Sequence, residues 1–286
     1  MITEPLELLC AELPTQPLPD IGTVLVAGAT GYIGGRLVPE LIARGYRVRV
    51  MVRAESPEHE ERWPEADVVV ADALSEEEVN GALEGVHAAY YLIHSMLIGP
   101  KKFEDADTLA ARNFRSAAEK CGVRRIIYLG GLGDTQTDLS THLASRSQVA
   151  KEFSKGTVPT TILRAAIIIG SGSASYEMIN HLVRKIPVFL VPVWARTRCQ
   201  PIGLRDVIKT LVGVLELPAT AGRTFDIGGS DILTYEQMLK THAELLGKKR
   251  RFIPSPVSNI GFYSYITSLL TPIPVSYTHL RAHETN

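Results

Sequence analysis

The sequence predicts an α/β fold, a doubly wound parallel sheet completed by a small C-terminal segment on the substrate side. Three observations predict it. Short apolar runs alternate with amphipathic stretches from Ile21 to about Phe252. Those runs are continuously apolar rather than alternating, as in strands covered on both faces. A glycine-rich turn joins the first run to the first amphipathic stretch, the arrangement of a strand–turn–helix unit.

Thr23–Ala27 (TVLVA) is the first strand, and Ile33–Arg44 is helical in period, with Ile33, Leu37, Leu41 and Ile42 on one stripe. Arg47–Val52 and Asp67–Val70 are the next two strands. The helix that follows starts at Ser75, with Glu78 three residues on as a capping box. Ala88–Ile93 is a fourth strand, Phe103–Cys121 a long helix and Arg125–Leu129 a fifth strand. A helix near Ser140–Ser154 then leads to a strand at Thr160–Leu163. After Arg164 the rhythm loosens: Gly170–Ser175 is a Gly/Ser loop, and Pro187–Pro201 is rich in proline and aromatic residues. A helix over Leu204–Leu217, a strand at Thr224–Ile227 and a helix at Tyr235–Leu246 complete the pattern.

Residues 21–164 are accordingly expected to form the nucleotide-binding core and 165–274 the substrate-side segments, where Trp194 serves either as a pocket wall or as core. Residues 1–20 are expected to be a loosely attached leader with a short turn at Glu7–Leu13. The end, VSYTHLRAHETN (275–286), departs from everything before it. Val275–Thr285 resembles the translation of a sequencing adapter, so the natural chain is expected to continue past Pro274, making this a fragment. His279 and His283 in that tail lack a third ligand, and no metal site is expected.

Net charge of −1 over 286 residues, with 45% hydrophobic and 21% charged residues, gives no basic excess of the kind nucleic acids attract. No apolar run reaches the ~20 residues of a membrane span. Cys10, Cys121 and Cys199 are odd in number and far apart, which points to a reducing cytoplasm. The expected partner is a small-molecule substrate; no oligomeric state follows.

VLVAGATGYIGG places Gly28, Gly31 and Gly34 as G-x-x-G-x-x-G between strand and helix. This is the phosphate-binding turn of an NAD(P)-binding Rossmann fold, where the helix N-terminus favours a diphosphate. Gly28, Thr30, Gly31, Tyr32, Ile33 and Gly34 are therefore expected to hold a dinucleotide. At the end of the second strand stands Arg53 rather than an acid. A guanidinium grips a 2′-phosphate with paired hydrogen bonds, so NADP is favoured, with NAD possible because Glu55 lies close by.

With these glycines, Asp72 after the third strand and YYLIHSM after the fourth, residues 21–274 resemble the short-chain dehydrogenase/reductase superfamily, most of all its atypical, extended-like members of the NmrA-like NAD(P)H-binding type. The resemblance implies that Asp72 touches the adenine edge, and that Leu92 and His94 lie along the nicotinamide. Asp72 reads equally as a loop start or cap, and His94 more readily as a satisfied, half-buried histidine. Asn113 loosely matches a structural asparagine of that family.

The family's usual chemistry uses a serine after the fifth strand and a Tyr-x-x-x-Lys pair on the next helix. Here Gly130 and Gly131 occupy the serine region, and HLASR offers His142 and Arg146 four apart instead. This resembles a subgroup with HxxxR in place of YxxxK, which implies NADP-dependent oxidoreductase activity on a small carbonyl, enone or quinone-like substrate. Histidine titrates near neutrality and can pass a proton; Arg146 can depress its pKa and hold the ribose. The same pair is also compatible with a non-catalytic redox sensor or assembly factor. No G-x-S-x-G, H-E-x-x-H or P-loop lysine competes.

Overall fold

A computed structural model of the chain describes residues 8–94, 100–132, 141–256 and 259, with side chains of 100–105, 141 and 142 outside the description. The chain alternates β1 (Thr23–Ala27), α1 (Gly34–Ala43), β2 (Arg47–Val52), α2 (Pro57–Arg62), β3 (Asp67–Val70), α3 (Glu76–Leu83), β4 (Val86–Tyr91), α4 (Pro100–Lys120), β5 (Arg125–Gly131), α5 (Thr141–Ser154) and β6 (Thr160–Ala165). There follow β7 (Ile168–Ile169), α6 (Ala174–Lys185), β8 (Val188–Val191), β9 (Arg198–Cys199), β10 (Ile202–Gly203), α7 (Leu204–Glu216), β11 (Thr224–Ile227), β12 (Leu233–Thr234), α8 (Tyr235–Leu245) and β13 (Arg251–Pro254).

Seven strands form one parallel sheet in the order β11-β6-β5-β4-β1-β2-β3. After β3 the chain returns to place β4 on the other side of β1, so strand order reverses between β1 and β4. Ala27 pairs with Met51 on one side and Tyr91 on the other. The crevice at such a reversal, beyond the carboxyl ends of the strands, is where a ligand binds in this kind of sheet. The continuous apolar runs have the predicted cause: Val24–Ala27 in β1 and Ala88–Tyr91 in β4 are buried throughout. Tyr90 and Tyr91 point to opposite faces, as successive strand residues must. Tyr90 Oη donates to the Leu211 carbonyl at 2.9 Å, while Tyr91 meets Phe114 and Phe153 edge-on, each at 5.0 Å between centroids.

By compactness the chain divides into two units. The first comprises the described residues within 8–130, 145–164 and 205–226, so α7 and most of β11 group with the sheet although they follow the expected boundary at Arg164. The second comprises the described residues within 131–144, 165–204 and 227–259. Within it, β8 and β13 pair in parallel and α6 and α8 pack around Ile179, Val183, Phe189 and Met238, with Trp194 against that core. Helices α2 and α6 were not foreseen, and α6 begins with Ser173 capping the Tyr176 amide inside the expected Gly/Ser loop.

The leader is not loose where it is described. Glu40, on α1 and only 2% exposed, accepts from the Leu9 amide at 2.7 Å and the Cys10 amide at 3.0 Å. Arg44, one turn on, donates to the carbonyls of Cys10 and Thr15 and to both carboxylate oxygens of Glu216. The 275–286 tail, with His279 and His283, lies outside the described residues. Among the described residues no helix is long and apolar enough to cross a membrane, and no cluster of histidines, cysteines or carboxylates has the form of a metal site.

Candidate functional site

The β1–α1 turn is built by glycines for reasons visible atom by atom. Gly28 has φ +87°, a backbone that L side chains rarely adopt, and a Cβ there would stand 2.7 Å from the Leu92 carbonyl group. Leu92 in turn donates its amide to Ala27 at 2.9 Å, so the ends of β1 and β4 close against each other at Gly28. A Cβ on Gly34 would strike the Gly28 carbonyl oxygen and stand 2.8 Å from Ala29 Cα, which is how the helix packs on its strand. Gly31 donates to Gly28 at 3.0 Å and, with Thr30, faces solvent; Tyr32 and Ile33 are half-buried.

Helix α1 starts with no side-chain cap and no acid in its first turn. Its N-terminal amides and positive dipole end are thus left for an anion from outside the chain. A tight glycine cradle with an exposed second glycine at an uncompensated helix start fits the diphosphate of a dinucleotide.

Around this turn, Arg53 follows β2 as an exposed side chain, with Glu55 exposed beside it. Asp72 is half-buried beyond β3. Its Oδ1 accepts from the Leu74 amide at 3.0 Å, the local turn-capping role read as the alternative to adenine contact. Asn113 is buried and donates to the Ala73 carbonyl at 3.1 Å, tying α4 to the segment after β3.

The second group lies past the ends of β4 and β5. His94 Nδ1 stands 3.7 Å from Asp107 Oδ2, and the same oxygen accepts from Ser145 Oγ at 2.8 Å. Burial first, then the charge of Arg146, hold the His94 imidazole below its ordinary value; Asp107 opposes both. Arg146 Nη1 donates to the Leu129 carbonyl at 3.3 Å, and Tyr128 Oη to the Arg146 carbonyl at 3.2 Å. Arg146 is therefore tied to β5 in the same unit as His94. His142 lies on α5, but its side chain is outside the description.

Gly130 has a structural reason of its own. A Cβ there would stand 2.9 Å from Tyr128 Cε1, so the tyrosine ring occupies the space into which a serine side chain would project. Tyr128 is 3% exposed, and burial pushes its hydroxyl up to about 12. Sequence reasoning did not single out Asp107, Tyr128 or Ser145. Ser145 sits inside HLASR and was passed over. Asp107, in a long polar helix, carries no local signal, because its partners are 13 and 38 residues away in sequence.

Comparison with known proteins agrees with this geometry. Over 239 residues the chain is 25% identical to the mitochondrial NADH dehydrogenase [ubiquinone] 1 alpha subcomplex subunit 9 of Arabidopsis thaliana, covering 81% of this chain and 60% of that protein. It is 26% identical to the ceramide reductase of Caulobacter vibrioides over 238 residues, 82% of this chain and 74% of the reductase. The fold matches that of the Citrobacter sp. triphenylmethane reductase complexed with NADP(H), with a TM-score of 0.72, 18% identity, and coverage of 92% of this chain and 89% of that one. The model of a family described as NAD(P)H-binding matches residues 28–177, just over half of the sequence, from the first glycine of the turn into α6. The chain belongs to that NAD(P)H-binding family.

Proposed function

We propose that the protein is an atypical short-chain dehydrogenase/reductase of NmrA-like type that prefers NADPH and reduces, or in reverse oxidises, a small carbonyl, enone or quinone-like compound in the cytoplasm. The observation that carries this reading is the glycine cradle at the strand-order reversal, with exposed Arg53 at the end of the neighbouring strand. Gly28, Thr30, Gly31, Tyr32, Ile33 and Gly34 would hold the diphosphate, Arg53 the 2′-phosphate, Asp72 the adenine edge, and Leu92 and His94 the nicotinamide side. The nicotinamide, when bound, supplies the hydride. His142 would deliver a proton to the substrate oxygen, and Arg146 would hold the ribose and keep His142 from protonating too firmly. Cys10, Cys121 and Cys199 form no disulfide, which supports a reducing compartment.

A reductase among the relatives favours catalysis. One specific observation favours the second reading, a bound but unreacted dinucleotide in a sensor or assembly factor: the Tyr128 ring fills the space a side chain at Gly130 would take, in the region where a serine donor is expected. Purified protein mixed with NADPH and a panel of carbonyls and quinones separates the two. Cofactor oxidation by at least one compound, falling roughly 100-fold or more in His142→Gln, supports the enzyme, since positioned acid–base groups contribute about that much. Tight NADPH binding with no turnover by any compound supports the sensor.

A further inference from the structure

The second unit carries a charge imbalance that the whole chain conceals. Net charge is −1 over the full sequence, yet residues 178–204 and 245–274 hold eight arginines and lysines and no aspartate or glutamate. Half of these cations gather where β8 and β13 begin. The Arg250 guanidinium donates to the carbonyls of Val183 at 2.7 Å and Arg184 at 3.3 Å, at the end of α6, with Lys185 the next residue. The Arg251 amide donates to the Pro187 carbonyl at 3.1 Å, and Lys248 and Lys249 lead into this pair of arginines. Among the described residues no carboxylate forms an ion pair with Arg184, Lys249, Arg250 or Arg251; Glu236, on α8, is taken by Arg196 and Lys240. The C-terminus of one helix offers about half a negative charge, too little to balance the cluster.

The same two strands present an apolar face. Residues paired across adjacent parallel strands point to one side of the ribbon. Phe189 and Phe252 stack at 5.0 Å and 8° on the inner side, in the core of this unit. On the outer side Val188 pairs with Arg251 and Leu190 with Ile253, and Val188, Leu190 and Ile253 are 41%, 51% and 47% exposed. Val193, just past β8, is 70% exposed. Single exposed aliphatic residues are ordinary, but a registered set beside cations that lack carboxylate partners marks a surface that meets something. A nucleic acid would use the cations and leave the aliphatic side chains in water. The boundary between headgroups and acyl chains in an anionic leaflet accepts both.

We infer that the outer face of the β8–β13 ribbon is a docking surface for anionic phospholipid, on which this unit rests without crossing the membrane. Val188, Leu190 and Ile253 enter the acyl boundary, while Arg251, with Arg184 and Lys249 nearby, meets the lipid phosphates. The inference depends neither on the dinucleotide nor on hydride transfer.

Sedimentation of the full chain with vesicles tests it, one set of phosphatidylcholine alone and one of equal parts phosphatidylcholine and phosphatidylglycerol. The protein should sediment with the second set and not the first, and added salt should release it, because exposed charges are screened. Lys249→Gln combined with Arg251→Gln should lower affinity for the anionic vesicles roughly 25-fold, about 5-fold for each cation lost near such a surface. Leu190→Ser combined with Ile253→Ser should weaken the same binding about 10-fold, through lost apolar burial. All four residues are exposed, so the thermal melts of both variants should overlay that of the wild type. Binding to both vesicle sets alike, or to neither, overturns the inference whatever the variants do. Unchanged affinity in the folded Leu190→Ser, Ile253→Ser protein overturns it as well, since charge alone would then hold the vesicle. A DNA duplex bound as tightly as the anionic vesicles overturns it in favour of a nucleic-acid surface.

Discussion

At Gly34 and Gly81 the same substitution has opposite consequences. Gly34→Ala would drive a methyl group into the Gly28 carbonyl and Ala29, with no room in a rigid turn. Overpacking of this kind costs roughly 1–3 kcal/mol; the expected outcome is a lower denaturation midpoint together with weaker NADPH binding. Gly81, inside α3, has nothing within 4 Å of a new Cβ. Gly81→Ala should therefore stabilise by about 0.5–1 kcal/mol, the helix-propensity difference, without touching cofactor affinity. Equal shifts for the two variants would contradict this account of the turn. At Arg53, reversal of charge should discriminate between cofactors: Arg53→Asp is expected to weaken NADPH binding more than NADH binding in parallel fluorescence titrations. Gly28, Gly31 and Gly34 were legible because their spacing is local to one strand–turn–helix unit. His94 was legible only as a histidine at a strand end. Its partners Asp107 and Ser145 arrive on two other helices, and no spacing in the sequence announces them.

Among the elements, α1 shows how a local pattern misleads about what it touches. Glu40 and Arg44 are four apart, the ordinary spacing of a solvated helical pair. In the fold they are drawn inward: Glu40 holds two leader amides, and the Arg44–Glu216 pair has side chains 9% and 0% exposed. Breaking a buried pair leaves an uncompensated charge, at a cost of about 3–5 kcal/mol. Glu216→Ala should accordingly lower stability to chemical denaturation by that order. Glu40→Ala should release the leader and expose Cys10. The Cys10 thiol is now fully buried and pushed up to about 12, chiefly by burial and next by the Glu40 charge. Its alkylation by iodoacetamide should be slow in the wild-type protein and faster in Glu40→Ala; unchanged labelling would show that the leader is held by something else. Helices α2 and α6 escaped sequence reading for different reasons. The first is short and polar, and the second begins inside a Gly/Ser run whose Ser173 turned out to be its cap.

Across the whole molecule, His87, His94 and His242 are all held below the ordinary histidine value of 6.5, with burial the largest cause in each. At pH 7 they are mostly neutral, folded or unfolded, and contribute little. As pH falls below 6.5, the unfolded chain binds their protons first, so stability declines until the folded-state values are passed. Melting temperature should therefore fall between pH 7 and pH 5, and His94→Gln should flatten part of that decline. A slope identical to that of the wild type would remove His94 from the balance. The sequence by itself determined the strand–helix alternation, the buried parallel sheet and the dinucleotide turn. Each of these rests on residues close in the chain, where periodicity and glycine spacing act directly. Only the tertiary structure decided that the leader is anchored through Glu40 and Arg44, that Arg205–Asp226 rejoins the sheet, and that Asp107 faces His94. Those pairings join residues far apart in the chain, and their cause is burial and charge in three dimensions, which a linear pattern does not encode.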